Sequence, residues 1–187
     1  MRSIKQFFWA ILRILKLAAP FQLIYESALS ENGWFKSYYS KQSVDKQGRP
    51  IPWCTYSFIY FIENRLQPNF TVFEYGSGNS SLWYAARVKK VVAVEHDQGW
   101  YQHIKNNMPA NVALNHVAYI QGGEYGRFIL TLKEQFDIVV IDGRDRCNAL
   151  RATISGDNLK KDGIIILDNA DRASYQKCIA EALAQGF

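Results

Sequence analysis

From residue 70 onward, short apolar runs alternate with segments whose apolar residues recur every three or four positions. Phe70–Tyr75 (FTVFEY), Val91–Glu95 (VVAVE), Val112–Ala118, Phe136–Asp142 (FDIVVID) and Gly163–Asp168 (GIIILD) have the length and β-branched content of strands. Ser80–Val88 and Asp97–Asn107 read as helices between the first three strands, and helical stretches follow the last two. Near-continuous apolar strands alternating with helices predict an α/β protein. The expected form is a Rossmann-like, doubly wound, mostly parallel sheet with helices on both faces and ligands at the carboxyl ends of the strands.

Before residue 69 the pattern differs. Residues 21–68 read as an aromatic-rich helical cap, with a turn at Ser30–Trp34 and a polar loop from Gln42 to Pro52. Thr55 is placed to cap a helix running to about Leu66, whose Phe58, Ile59, Phe61, Ile62 and Leu66 share a face. In residues 1–20, Ile4, Phe7, Phe8, Ile11, Leu12 and Leu15 form one broad apolar face opposite Lys5, Gln6, Arg13 and Lys16. That amphipathic, basic helix is too interrupted by charge to span a bilayer. It either docks on protein as a lid or dimer contact, or lies in a membrane interface through residues 1–17. The expected organisation is therefore 1–20 amphipathic helix, 21–68 cap and 69–187 nucleotide-type fold.

The chain of 187 residues is 48% hydrophobic and 21% charged, as in a globular protein with one sizeable core. Its net charge of +5 suggests nucleic acid only until it is divided. Residues 1–25 hold four bases and no acid, which leaves 18 bases against 17 acids elsewhere, so nucleic acid is disfavoured as a partner. Cys54, Cys147 and Cys178 are widely spaced, without zinc-type pairs, and point to free thiols in a reducing, cytoplasmic setting.

The chemistry concentrates at predicted strand ends. In Glu74-Tyr75-Gly76-Ser77-Gly78-Asn79-Ser80-Ser81, Gly76 and Gly78 let the backbone turn tightly against a ligand, and the following helix offers free N–H groups. A dinucleotide fold would place a third glycine where Ser81 stands. Glu74 also disfavours a pyrophosphate and suits a ligand carrying an amine or positive charge. Glu95 follows 21 residues later at the end of the second strand, where an acid accepts hydrogen bonds from ribose hydroxyls.

With these residues in place, the stretch from about Phe70 to Phe187 resembles the class I S-adenosylmethionine-dependent methyltransferases. FEYGSGNSS stands for that family's first motif and VAVEHD for its second. The resemblance implies that Glu74 and the Gly76–Gly78 turn, including Ser77, hold the methionine end of S-adenosylmethionine, that Glu95 binds its ribose and that His96 lies near the adenine. Tyr75, Asn79 and Ser80 complete the cofactor-binding stretch, with Ser80 standing where the family has a glycine-like position. The alternatives are a nicotinamide or other nucleotide in the same turn, or a truncated, non-catalytic binding or membrane-peripheral module.

Asp142 in VVIDGRDR and the pair Asp168-Asn169 in IIILDNADR are hard oxygen ligands at neighbouring strand ends. The pattern is similar to the divalent-metal-dependent O-methyltransferases of the catechol type. That likeness implies Mg2+ held by Asp142, Asp168 and Asn169, an acceptor hydroxyl activated by the ion, and O-methylation of a small molecule or glycan with Asp142 facing the methyl donor. Those enzymes place a lysine shortly after the first aspartate, where this chain has Gly143, Arg144, Asp145 and Arg146. The plainer reading makes the aspartates turn and helix caps. Arg144 and Arg146 suggest an acidic acceptor. Proteins of this resemblance end in a reversed C-terminal hairpin that is absent before Phe187, so the expectation is either that the chain is a fragment or that a partner, such as a second copy in a homo-oligomer, covers the sheet edge.

Overall fold

The computed structural model describes residues 2–187, with side chains from Ile4 onward; Met1 and the side chains of Arg2 and Ser3 lie outside it. The chain opens with α1 (Arg2–Ile14), α2 (Ala18–Tyr25), α3 (Ala28–Glu31), α4 (Trp34–Ser40) and α5 (Tyr56–Glu63). Strands and helices then alternate: β1 (Thr71–Tyr75), α6 (Asn79–Ala85), β2 (Lys90–Glu95), α7 (Gln98–Ile104), β3 (Val112–His116), α8 (Glu124–Arg127), β4 (Phe136–Ile141), α9 (Arg146–Ser155), β5 (Leu159–Leu167) and α10 (Gln176–Leu183). The five strands form one sheet in the order β3-β2-β1-β4-β5, and every neighbouring pair is parallel.

Alternation along the strands divides the core into two layers. Phe73, Tyr75, Val92, Val94, Val139 and Ile141 face one side, packed against Tyr125, α9 and α10. Val72, Val91, Ile138 and Val140 face the other, under Ile59 and Ile62 of α5 and Trp83, Tyr84 and Ala85 of α6. The expected Rossmann-like architecture is thus present, with α5 serving as a cover of the sheet. Thr55 does cap α5, its hydroxyl accepting from the Phe58 amide.

Three local features depart from the sequence pattern. The single N-terminal helix is two helices, broken where Lys16 adopts a left-handed φ of 58°. Pro20 is the physical reason: it has no N–H and its ring would clash with the carbonyl four residues back, so helix restarts with Pro20 in its first turn. Strand β5 begins at Leu159 rather than Gly163, because Leu159 pairs with Phe136 ahead of a register irregularity. Helix α8, at four residues, is too short for its periodicity to be visible.

The expectation of three free thiols is also corrected. Cys147 and Cys178 form a disulfide, with Cα atoms 5.6 Å apart, and Cys54 alone is free. Their separation of 31 residues carries no sequence signal. The pairing arises because α9 and α10 lie side by side on one face of the sheet, and it removes the cysteine argument for a reducing compartment. Among the described residues, β5 pairs only with β4, so its outer edge is open.

Thiol titration of the denatured, unreduced protein should count one free thiol. Replacing Cys147 and Cys178 by serine should lower unfolding stability by about 2–4 kcal/mol in urea titrations, the usual effect of releasing such a loop.

Candidate functional site

Strand order reverses between β1 and β4, and a crevice opens there above the carboxyl ends of the strands. A cleft of about 610 Å³ occupies it, lined by Glu74, Gly76, Ser77, Ser80, Glu95, His96, Asp142, Arg144, Arg146 and Arg172 among others. Four carboxylates reach this edge from four adjacent strands: Glu95 ends β2, Glu74 lies one residue before the end of β1, and Asp142 and Asp168 directly follow β4 and β5.

The Gly76–Gly78 turn has the form its sequence suggests. Gly76 has a φ of +93°, and a Cβ there would press on the Gly143 backbone at 3.3 Å. Gly143 is the glycine that sequence reading missed. A Cβ on it would fall 1.9 Å from the Tyr125 hydroxyl and 2.9 Å from the Gly76 nitrogen, so the turns after β1 and β4 touch through two glycines. The alternating pattern gave no hint of a contact between residues so distant in sequence.

Glu74 is fully buried, and its two oxygens accept from the hydroxyls of Ser80, at 2.5 Å, and Ser81. Burial pushes its carboxyl up to about 7, against the pull of those two hydroxyls. Glu95 accepts from the amides of His96 and Asp97 at 2.8 and 2.9 Å through one oxygen, and from the Ser77 hydroxyl at 2.9 Å through the other. Both acids are thereby held in single orientations. His96 lines the cleft beside them. Its Nδ1 lies 2.8 Å from Glu95 but off the line of a hydrogen bond, and it is buried without a partner among the described residues. A polar ligand in the cleft would satisfy it.

Two residues of the stretch point elsewhere. Tyr75 alternates with Glu74 and therefore enters the opposite core layer, where it is fully buried with its hydroxyl donating to the Gly126 carbonyl at 3.1 Å. Period-two reading of β1 carries that signal. Asn79 donates to the Ser43 carbonyl at 2.7 Å and so ties the turn to the cap, facing a smaller cavity of about 420 Å³ that also holds Trp53 and Trp100.

Asp142, Asp168 and Asn169 do converge, but around Arg146. Its guanidinium donates to Asp142 Oδ1 at 2.8 Å, Asp168 Oδ2 at 2.9 Å and Asn169 Oδ1 at 3.3 Å, and further to the carbonyls of Gly143, Asp142 and Asp168. The cation that joins the two strand ends is a side chain with all its donors engaged. The donor set does not fit Mg2+: a second positive charge would have to displace a nearly buried guanidinium, and the expectation of a metal at Asp142, Asp168 and Asn169 is corrected accordingly. Among the described residues no group of three or more His, Cys, Asp and Glu side chains forms a metal site. Arg146 is equally unable to receive an acidic acceptor, whereas Arg144 and Arg172 line the cleft and make no ion pair among the described residues.

Burial, followed by the neighbouring Asp168 charge, holds the Asp142 carboxyl above its ordinary range, and Arg146 offsets part of that rise. Asp145 and Asn169, flanking the cluster, both take left-handed φ values, 51° and 54°. Asp145 is fastened there by accepting from the Gly122 amide and the Asn148 side chain.

No protein-family model and no curated protein sequence matches the chain. Solved structures do match in fold. A methyltransferase-like protein from Silicibacter pomeroyi DSS-3 superposes with a TM-score of 0.55 at 21% identity, over 71% of this chain and 80% of that one. Precorrin 8w decarboxylase from Methanobacterium thermoautotrophicum gives 0.52 at 18% identity, over 76% and 78%. A caffeoyl-CoA O-methyltransferase assignment from Staphylococcus aureus gives 0.50 at 14%, over 89% and 78%. The protein thus has the Rossmann-like fold shared by class I methyltransferase structures.

Replacing Arg146 by methionine should lower stability by about 2–3 kcal/mol at pH 7, below the full loss for a buried pair because both carboxylates keep some solvent. The sign with pH follows from linkage. Asp142 sits above its unfolded value, so its contribution to stability falls as pH rises from the ordinary carboxylate range toward neutrality, and losing Arg146 deepens that fall. Urea titrations at several pH values should therefore show the deficit shrinking in acid.

Proposed function

We propose that the chain is an S-adenosylmethionine-dependent methyltransferase that methylates a hydroxyl of a small molecule or glycan without a metal ion. The observation that carries this reading is the pair of buried acids, Glu74 and Glu95, at the ends of adjacent strands and opening on one cleft beside a glycine turn. The shared fold of methyltransferase structures supports it.

The donor set fits the cofactor's chemistry. Bound S-adenosylmethionine would supply a methyl group made electrophilic by its sulfonium charge. Glu74, with the turn from Gly76 to Ser80, attracts the positively charged methionine end. Glu95 retains lone pairs to accept from ribose hydroxyls, and His96, whose Nδ1 has no partner among the described residues, would serve the adenine. Asp142 stands across the cleft as the base that takes the acceptor's proton, its raised carboxyl bringing its affinity toward the pH at which it works. Arg146 positions Asp142 and Asp168, and Arg144 with Arg172 favours an acceptor bearing a carboxylate or phosphate.

Calorimetric titration with S-adenosylhomocysteine should show binding to the folded protein, with a nicotinamide dinucleotide as the negative control. Glu95→Ala should weaken that binding by about tenfold or more, the loss of charge-assisted hydrogen bonds. Unchanged affinity, or binding of the dinucleotide instead, would remove the assignment.

Methyl transfer should be insensitive to chelators. Its rate should rise with pH through a midpoint above the ordinary carboxylate range, since the base acts only when deprotonated. Asp142→Asn should remove that step and slow transfer by about a hundredfold or more, with S-adenosylhomocysteine affinity retained.

A further inference from the structure

The N-terminal hairpin presents an apolar surface that the rest of the chain does not cover. In α1, Ile4, Phe7 and Ile14 are 73%, 70% and 81% exposed, and Ile11 and, just past the helix end, Leu15 are exposed too. Of the residues in α1 whose side chains are described, Leu12 alone is buried, and α2 has no buried residue while exposing Leu23, Ile24 and Tyr25. The two helices close on each other through Phe8, Trp9 and Phe21, which leaves the outer face of α1 free. In the single chain this face is therefore not docked on the rest of the fold.

We infer that the α1–α2 hairpin is an in-plane anchor for an anionic membrane surface. Charge complementarity selects this occupant. Residues 1–25 contain no acid, and Lys5, Arg13 and Lys16 lie on the side of the helix opposite the apolar face, without an ion pair among the described residues, although Lys5 and Arg13 line a small cavity together with Glu26. Their ammonium and guanidinium heads would lie at the level of lipid phosphates while Phe7, Ile11 and Ile14 enter the acyl boundary.

Geometry selects the in-plane orientation. The 13 residues of α1 span about 20 Å, short of the roughly 30 Å hydrocarbon core. Among the described residues no single helix is long and apolar enough to cross a membrane; Ile4–Ile14 and Ala18–Glu31 reach that length and apolarity only when taken together, across a bend of 118°. An anchor of this kind would hold the methyl-transfer cleft near acceptors carried at a membrane, although the anchor itself stands independently of that function.

The test is flotation of the full chain with vesicles of phosphatidylcholine alone and with vesicles containing phosphatidylglycerol. Binding to the anionic vesicles, weakened by salt and released by alkaline carbonate, is expected. Phe7→Ser with Ile11→Ser should abolish it, and Lys5→Glu with Arg13→Glu should weaken it by about tenfold or more. Circular dichroism and thermal unfolding of each variant verify that the fold is intact. The inference is overturned if the protein fails to float with either vesicle, if folded variants bind as well as the parent, or if carbonate does not release it. A dimer that Phe7→Ser with Ile11→Ser dissociates, without vesicle binding by the parent, would overturn it in favour of a second copy.

Discussion

Four carboxylates brought to one edge of a sheet repel one another, and the way this chain compensates them shapes the whole cleft. Each is handled differently because each has different neighbours. Glu95 takes two backbone amides and a hydroxyl at the turn into α7. Glu74 has two serine hydroxyls and no cation, so burial raises its carboxyl toward the neutral form. Asp142 and Asp168 share the guanidinium of Arg146, which is anchored by the backbone of the same turns. The result is a cleft with buried acids on one half of the sheet and an arginine-shielded pair on the other.

That arrangement depends on how closely the strand-end turns approach. Gly76 and Gly143 let the loops after β1 and β4 touch over the Tyr125 hydroxyl, and this contact sets the distance between the acids on the two halves of the sheet. The disulfide between Cys147 and Cys178 joins α9, which carries Arg146 at its start, to α10, which follows the Asp168-Asn169 turn. The same two segments that supply the cluster are therefore held together twice, covalently behind it and electrostatically within it.

Much of this was legible in the chain. The apolar runs located all five strands, most plainly the central β1, β2 and β4, since a strand buried on both faces must be apolar at nearly every position. Thr55 announced the start of α5, and the glycine turn with Glu74 and Glu95 located the cleft. The side chain of Tyr75 lies away from the cleft because strand alternation sends it to the opposite layer from Glu74, a signal the continuous motif hides. The aspartate pair was recognised as convergent. Its partner was not, because a guanidinium four residues after Asp142 and a metal ion satisfy the same charge requirement.

The sequence by itself determined the fold class and the placement of acids at strand ends, because periodicity and local turn chemistry act over a few residues. Tertiary structure decided what those acids meet. Whether Asp142 and Asp168 face a metal or Arg146, whether Cys147 reaches Cys178, and whether the apolar side of α1 is covered all depend on surfaces brought together from distant parts of the chain. No local pattern records such meetings, since the energy that selects them arises only once the sheet has brought its edges into contact.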